Sequence, residues 1–252
     1  MLKTRIMPTL LYRDLGLVKG EGFDPWRRVG GAMQAIKVYN MRDVDELVFM
    51  DITATKDDRP PDFDLIDDLA DECFMPLTVG GGVRHEDDVR GLLKVGADKV
   101  ALNTAMVSDP ELVGRCAQRF GSQCIVASID ARLEEDGSYQ VYTHSGTQPA
   151  GIDPVTLARQ AAEMGAGEIL LTSIDRDGRM CGYDVALTMA VSRAVTIPVV
   201  ASGGCGDYRH MAEVLSDGGA SAVAAASIFH FTEKTPAEAK QYLKSQGFPV
   251  RQ

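Results

Sequence analysis

Two glycine-rich turns stand out in the sequence, because each directly follows a short apolar stretch. They read Gly80-Gly81-Gly82 and Ser202-Gly203-Gly204. Glycine backbone without a Cβ can bring N–H groups close to an anion. Each turn is followed one unit later by small residues placed to start a helix, Asn103-Thr104-Ala105 and Ala225-Ala226-Ser227, and a helix N-terminus favours negative charge. Tight strand-to-helix turns alone would also use glycine, but two matched runs favour two phosphate sites.

Acidic residues that follow apolar stretches are the candidates for proton transfer and substrate binding. Asp51, Asp130 and Asp177 each occupy such a position. We interpret Asp130 as a catalytic group and Asp51 as a substrate contact, whereas Asp177 suits a turn or a helix cap as well as a ligand. Lys19 either lies in solvent or clamps a substrate phosphate. The predicted phosphate-binding residues are Gly81, Gly82, Asn103, Thr104, Asp177, Gly178, Gly203, Gly204, Ala226 and Ser227.

Four charged residues lie at the opposite ends of the apolar stretches. They are Arg5, Glu46, Lys99 and Glu168. Their mixed signs would let them pair as salt bridges if the four stretches meet at one end of the fold. The residues alone leave two functions open, a structural ring that closes the floor of the fold and a polar gate for a small neutral molecule.

The elements that would position these residues alternate along the chain. Runs typical of strands occupy residues 5–11, 46–52, 75–79, 99–103, 123–129, 168–173, 197–201 and 222–226, and amphipathic stretches predict helices at 63–73, 86–95, 109–120, 154–164, 186–194 and 208–215. This alternation predicts a parallel sheet covered by helices. The longest irregular pieces, 18–31 and 133–151, are candidate active-site loops.

An internal duplication appears when the chain is compared with itself at an offset of about 120 residues. Segments 45–49, 76–82 and 96–100 then coincide with 167–171, 198–204 and 219–223. Because a lone half would expose sheet edges, we predict two half-barrels, about residues 1–122 and 123–252, closed into one α/β domain, a (β/α)8 TIM barrel over residues 1–252. An open doubly wound sheet is the alternative.

Composition and charge exclude several classes of protein. The net charge of −10 disfavours nucleic-acid binding, which requires a basic surface. No apolar run reaches the length of a membrane helix, and no cleavage-site pattern follows the first residues. The five cysteines show neither metal-ligand nor paired spacing and predict mostly buried, reduced thiols. We expect a cytoplasmic protein without metal, cofactor, nucleic-acid or membrane partner.

Several longer motifs resemble a known family. The motif Pro76-Leu77-Thr78-Val79-Gly80-Gly81-Gly82-Val83 and segments 121–124, 141–144, 165–173, 175–178 and 226–231 are similar to the cyclase subunit of imidazole glycerol phosphate synthase (HisF) over essentially the whole chain. The resemblance implies a ligand with two phosphates at one end of the barrel. It also implies a separate glutaminase subunit (HisH-like) at the barrel bottom, an interface that includes Asp98, and passage of ammonia through the ring of Arg5, Glu46, Lys99 and Glu168.

One position departs from the family's chemistry. The resemblance implies two catalytic aspartates, at the ends of the first and fifth strands, and Asp130 supplies the second. At the first position the sequence has Leu11. The duplication gives the same register, because Ile6 to Leu11 coincides with Ile125 to Asp130. An aliphatic side chain cannot transfer a proton, and losing such a group costs about 10²–10⁴-fold in rate.

Other motifs resemble a paralogous branch associated with amidation of N-acetyl sugars in bacterial surface polysaccharides. They are Thr53-Ala54-Thr55-Lys56, residues 62–68 and residues 72–76. This resemblance implies a barrel that hands ammonia to a sugar amidotransferase. The alternative is a genuine cyclase in which Asp14 or another group near the first loop replaces the missing base, or in which Asp130 and Asp51 suffice. The isomerase that acts one step earlier in histidine synthesis also uses an acid at position 11, so Leu11 counts against it equally.

Overall fold

A closed barrel of parallel strands forms the centre of the molecule. A computed structural model describes residues 3–24, 26–42 and 44–251. The strands of these residues are β1 (Arg5–Arg13), β2 (Gly16–Gly20), β3 (Trp26–Gly30), β4 (Leu47–Asp51), β5 (Leu77–Gly80), β6 (Lys99–Leu102), β7 (Ile125–Leu133), β8 (Tyr139–Thr143), β9 (Gln148–Pro149), β10 (Glu168–Ser173), β11 (Val199–Ser202) and β12 (Ala222–Ala225). Eight of them pair in parallel in the order β1-β4-β5-β6-β7-β10-β11-β12, and β12 pairs with β1. This closure confirms the (β/α)8 barrel and excludes the open sheet.

Helices cover the outside of the barrel. The helices of the described residues are α1 (Ala32–Met41), α2 (Phe63–Asp71), α3 (Glu86–Lys94), α4 (Thr104–Ser108), α5 (Glu111–Phe120), α6 (Pro154–Met164), α7 (Val185–Ser192), α8 (Tyr208–Ser216), α9 (Ser227–Phe231) and α10 (Pro236–Ser245), with a short 3-10 turn at Ser122–Cys124. Helix α6 illustrates how individual residues determine where a helix begins and ends. Asp153 accepts a hydrogen bond from the Thr156 N–H, Pro154 is the first helical residue, and Gly165 ends the helix with φ of 102°.

The apolar residues form two cores, one on each side of the strands. The larger lies between the strands and the helices and includes Ile6, Phe49 and Ile129. The smaller fills the barrel interior and consists of Met7, Val48, Ala101, Val126, Leu170, Val200, Ala222 and Ala224. Alternation along each strand sends successive side chains to opposite sides, so the residues above and below this inner core point into the barrel ends.

The two segments predicted to be irregular contain strands instead. Segment 18–31 holds most of an antiparallel hairpin of β2 and β3, and segment 133–151 holds β8 and β9. Each hairpin extends a barrel strand, β1 in the first half and β7 in the second. The expectation of loops was wrong because the strand ends continue past the barrel rim and pair with the returning chain.

Two further predictions concern cysteines and membranes. All five cysteines are free, but only Cys116 and Cys205 are buried, and Cys181 is exposed. The predicted burial is therefore confirmed for Cys116 and Cys205 only. Cys73 and Cys124 are partly buried, and Cys181 lies in an exposed loop rather than in an apolar element. Among the helices of the described residues, none combines the length and the apolar character needed to cross a membrane.

Candidate functional site

A cavity of about 510 Å³ opens at the carboxyl ends of the barrel strands. Both halves of the chain contribute to its wall, which includes the predicted phosphate-binding residues and also Leu11, Lys19, Asp51 and Asp130. The fold thus brings these candidates into one site. The charged residues Arg5, Glu46, Lys99 and Glu168 lie at the other end of the barrel, beyond the inner core.

Asp130 points into the cavity from β7. Its carboxylate accepts a hydrogen bond from Asn103 Nδ2 at 3.1 Å. Burial raises the pKa of Asp130 to about 7, and the charge of Asp177 adds to the effect, whereas a hydrogen bond from Thr172 opposes it. A carboxyl group that titrates near neutral pH can hold or release a proton in this cavity.

Leu11 lines the same cavity from β1. It pairs with Met50 of β4 in the barrel register, so its position is fixed by the strand ladder. Asp14, one of the alternative bases, is exposed, has a φ of 54° and pairs with Arg13 at 3.4 Å, away from the cavity wall. The hairpin of β2 and β3 instead contributes Asp24 to the wall.

Asp51 is buried and holds the loop that follows β4. One carboxylate oxygen accepts hydrogen bonds from Thr53 N (2.9 Å), Thr53 Oγ1 (2.9 Å) and Ala54 N (3.0 Å). The other oxygen accepts from Arg59 Nη2 at 3.3 Å. Both carboxylate oxygens are used in these hydrogen bonds. Asp51 therefore positions the loop that forms part of the cavity wall.

Lys19 lies in β2, with 3% of its surface exposed. Its ammonium group forms an ion pair with Asp177, which follows β10 in the other half of the chain. The next residue, Gly178, has a φ of 78°, and a Cβ there would lie 2.0 Å from the carbonyl oxygen of Gly20. The first hairpin and the turn after β10 are therefore in direct contact over the cavity.

The glycines of the first half lie against the loop after β4. A Cβ on Gly81 would be 2.2 Å from the carbonyl oxygen of Asp51, and the Gly82 N–H donates to Thr55 Oγ1 at 3.3 Å. Thr104 begins α4 nearby, and its hydroxyl accepts from His144 N–H at 3.1 Å. We call Gly81, Gly82 and Thr104 the first-half site.

The glycines of the second half have the same backbone form but different partners. Gly203 and Gly204 have φ values of 88° and 103°, and the Gly204 carbonyl oxygen accepts from Gly182 N–H at 2.8 Å. Ala226 precedes α9, and Ser227 begins it with 5% of its surface exposed. Within the described residues, Ser227 Oγ has no hydrogen-bond partner. We call Gly203, Gly204 and Ser227 the second-half site.

The four charged residues at the floor form a closed ring of ion pairs. Arg5 contacts Glu46 at 2.9 Å and also contacts Glu168. Lys99 contacts Glu46 at 2.8 Å and Glu168 at 3.0 Å. Burial alone would raise the pKa of Glu46, but Arg5 and Lys99 outweigh it and hold the pKa below its usual value. Each carboxylate therefore has two cations as partners.

Asp98 directly precedes β6 and the ring residue Lys99, and it is exposed. Its carboxylate accepts a hydrogen bond from Leu77 N–H at 2.8 Å, and its own N–H donates to Leu77 O at 2.9 Å. Asp98 therefore ties β6 to β5 on the outer edge of the floor.

Two arginines of the cavity wall were not among the predicted site residues. Arg13 lies 3.6 Å from the ring centroid of Trp26, and Arg132 lies 4.4 Å from that of Tyr142. Both arginines line the cavity. The signal was present in the duplication, because the offset that places Leu11 on Asp130 also places Arg13 on Arg132.

The tips of the two hairpins meet over the cavity. His144, Ser145 and Gly146 all have positive φ, between 51° and 76°. A Cβ on Gly146 would lie 2.7 Å from the ring of Phe23, so glycine permits this contact. Ser145 Oγ also donates to Ile52 O at 2.6 Å. The left-handed residues cost strain energy, which their contacts across the cavity offset.

The arrangement combines two glycine-rich backbone turns with a titratable carboxyl group. Among the described residues, four cationic side chains and five aspartates line the wall, so the cavity offers contacts of both signs to a small polar molecule. In residues 3–24, 26–42 and 44–251, no group of three or more His, Cys, Asp or Glu side chains is arranged to hold a metal ion.

Comparison with protein families gives an independent result. The family model described as "Histidine biosynthesis protein" matches residues 5–235. This span contains all twelve strands named above, the cavity residues and the ring at the floor.

Proposed function

Because the chain belongs to the histidine biosynthesis protein family, we propose that it is a HisF-like synthase barrel that works with a glutaminase subunit and binds a phosphate-bearing ligand. In this proposal the barrel conducts ammonia for the amidation of an N-acetyl sugar in surface polysaccharide biosynthesis. The observation that carries it is the contrast between two equivalent positions in the cavity wall, where Asp130 is ionisable and Leu11 is not.

The ring at the floor supports conduction. Every carboxylate oxygen of Glu46 and Glu168 contacts a cation, so four ion pairs join the four residues into a continuous ring. Keeping four largely buried charges is costly unless they are fully paired, and an apolar floor would close a barrel equally well. A polar ring at the axis gives a small hydrogen-bonding molecule such as ammonia a path that an apolar floor does not.

The barrel interior supports the choice of a neutral molecule. Above the ring, the inner core contributes apolar side chains such as Met7, Val48 and Leu170, and the buried Thr78 lies level with Val48 in the strand register. An ion would lose most of its hydration among these largely apolar side chains, at a greater cost in free energy than neutral ammonia. The interior therefore favours ammonia over ammonium as the transported species.

A partner at the floor is supported by the surface near the ring. Met41 ends α1 and is 79% exposed, and Phe74 precedes β5 and is 83% exposed. Both lie at the same end of the barrel as Asp98. Large exposed apolar side chains beside charged ones are typical of a protein interface, which fits a HisH-like glutaminase. A sugar amidotransferase would be a further partner at the opposite end.

A second candidate function, the cyclase subunit of imidazole glycerol phosphate synthase, is favoured by one observation. Burial raises the pKa of Asp130 to about 7, which suits a general acid or base at neutral pH. In this alternative Asp130 would act without an aspartate at position 11. Asp14 is not its substitute, because it is exposed away from the cavity.

The two candidates are separated by one assay. The purified chain is given the bisphosphate substrate of imidazole glycerol phosphate synthase with excess ammonium salt, and turnover is compared among wild type, Leu11→Asp and Leu11→Asn. The proposal expects an inactive wild type, with any gain restricted to Leu11→Asp, because asparagine matches aspartate in size but does not ionise. Wild-type turnover at the rate of a biosynthetic enzyme would overturn the proposal in favour of the cyclase.

A further inference from the structure

The first half of the barrel contributes a row of apolar residues to the cavity wall. In the strand register, Leu11 of β1 lies beside Met50 of β4, and Met50 lies beside Gly80 of β5. Val18 of β2 lies on the other side of Leu11. Neighbours in register project to the same side of a sheet, and Val18, Leu11 and Met50 all line the cavity. We call Val18, Leu11, Met50 and Gly80 the apolar row.

The equivalent level of the second half is polar. The duplication aligns Leu11, Met50 and Gly80 with three polar residues, which are, in the same order, Asp130, Thr172 and Ser202. These three are also neighbours in the strand register, and they line the same cavity. We call them the polar row. Three equivalent positions of the barrel are therefore apolar in one half and polar in the other, so the cavity has one apolar and one polar wall at this level.

The side chain of Met50 is held across the apolar row. A Cβ on Gly80 would lie 2.5 Å from Met50 Sδ, so the thioether extends over the glycine. Leu11 and Met50 are both partly exposed, because the cavity lies in front of them. Apolar side chains that face water in a cavity are stabilised when an apolar group of a ligand covers them. The row therefore favours a ligand with an apolar group at this level.

The wall nearer the rim limits the size of that group. Side chains two residues apart along a strand share a face, so Arg13 lies one step nearer the rim than Leu11. Asn103 has the same relation to Ala101, the next neighbour of Gly80 in the register. Both Arg13 and Asn103 line the cavity. Two residues of a strand span about 6.6 Å, so the apolar layer is about one side chain thick. A methyl group carried by polar atoms matches this layer, whereas a long alkyl chain would place apolar atoms against polar side chains.

We propose that the phosphate-bearing ligand also carries an acylamino group, whose methyl contacts Leu11 and Met50 while hydroxyl groups of the ligand face the polar row. This inference rests on the proposed phosphate-bearing ligand and names a chemical feature of that ligand, without assigning where its phosphate binds. It makes Leu11 a residue that determines specificity, in addition to marking the position at which an ionisable group is absent.

The test compares the binding of two matched ligands, N-acetylglucosamine 1-phosphate and glucose 1-phosphate, to the full chain by isothermal titration calorimetry. The two differ only in the acetylamino group that replaces one hydroxyl group. We expect the acetylated ligand to bind at least about tenfold more tightly, because one hydrocarbon group enclosed in an apolar pocket accounts for about 10–200-fold in discrimination. An apolar row that only covers the inner core predicts equal affinities.

Two substitutions connect the preference to the apolar row. Leu11→Asn keeps the size of the side chain but introduces a polar amide, and Met50→Thr installs the residue that the second half has at this position. Each should remove most of the preference, by weakening the acetylated ligand more than glucose 1-phosphate. Leu15→Asn is the matched control, because Leu15 is 85% exposed in the turn between β1 and β2, outside the cavity wall. It should leave both affinities unchanged.

Each result decides one point. Equal affinities, or tighter binding of glucose 1-phosphate, would overturn the acylamino inference and leave a phosphate-bearing ligand in place. Binding of neither ligand would overturn both. A preference that persists in Leu11→Asn and in Met50→Thr, with the fold of each variant verified by circular dichroism, would show that the acyl group binds elsewhere and would overturn the assignment to the apolar row.

Discussion

Lys19 and Asp177 form a buried ion pair between the two halves of the chain, although they are 158 residues apart in sequence. Lys19 belongs to the hairpin that extends β1, and Asp177 to the turn after β10. Beside them, Gly22 N–H donates to Asp177 O at 2.8 Å. The pair therefore fixes the first hairpin over the cavity.

The first prediction concerns this pair. Lys19→Met should lower the free energy of unfolding by about 3–5 kcal/mol, because it leaves the Asp177 carboxylate buried without its cation. The double variant Lys19→Met, Asp177→Asn should recover much of the loss, since no uncompensated charge remains. Urea unfolding of the three proteins measures both values. Equal stability of the single and double variants would show that the pair does not hold the hairpin.

A second prediction concerns the ring at the floor. Arg5 and Lys99 lower the pKa of Glu46, so its ionised form stabilises the fold above the unfolded pKa near 4.5, and this stabilisation is lost as the pH falls through the folded pKa. Glu46→Gln should cost about 3 kcal/mol at neutral pH, and the difference from wild type should shrink in acid.

The control for the ring is an exposed pair. Glu72 lies 3.6 Å from Lys37 on the surface. Glu72→Gln should change the free energy of unfolding by less than about 0.5 kcal/mol, because exposed ion pairs contribute little. A cost for Glu46→Gln as small as that of the control would mean that the ring is not stabilised by its charges.

The barrel could be predicted from the sequence because its strands carry local signals. Glu168–Ser173 was predicted with the bounds that the structure has, since it is apolar, short and repeated in the other half. Helix α1 was missed because the residue that precedes it, Gly31, has no side chain to cap it, and because its first turn has no acidic residue. The hairpins were missed because they are held by non-local contacts, such as Lys19 with Asp177 and Arg13 with Trp26.

The residue types of the candidate site could be predicted from the sequence, but the difference in hydrogen bonding between its two glycine turns could not. The duplication placed Leu11 opposite Asp130 and paired the glycine turns, and all of these residues line one cavity. The hydrogen bond from Gly82 N–H to Thr55 depends on the path of the loop after β4. Asp51 sets this path through its contacts with Thr53 and Ala54. Sequence patterns carry no information on such hydrogen bonds.

A third prediction uses the pKa of Asp130. The usual value is 3.8 and the folded value about 7, so the folded state holds a proton that the unfolded state has lost between these values. Stability therefore falls as the pH rises from about 4 to 7. At pH 8, Asp130→Asn should raise the free energy of unfolding by about 1–2 kcal/mol, because the amide removes the cost of a buried negative charge. Contact with the solvent of the cavity keeps this gain small. At pH 4 the gain should be close to nothing, because the wild-type carboxyl group is then protonated. Thermal unfolding at both pH values measures this, and a gain independent of pH would contradict it.

A fourth prediction concerns the glycine turn of the second half. A Cβ on Gly203 would lie 2.6 Å from Ser173 O, at a φ of 88°. Gly203→Ala should therefore lower the free energy of unfolding by about 2 kcal/mol or more and weaken phosphate binding. Gly30→Ala is the control, because a Cβ there meets no atom of the described chain within 4 Å. Equal effects of the two substitutions on unfolding would show that the close approach at Gly203 is not required.

The last prediction uses Trp26, the single tryptophan of the chain. Arg13 covers its ring at 3.6 Å, and Trp26 lines the cavity. Arg13→Ala should shift the tryptophan emission to longer wavelength, because water replaces the guanidinium, and cost about 0.5–1 kcal/mol. Arg27→Ala removes an equivalent stack on Phe231, at 3.7 Å, and should leave the emission maximum unchanged. If both variants shifted the emission equally, the hairpin would be loosened as a whole, and the contact between Arg13 and Trp26 would not be what shields the indole.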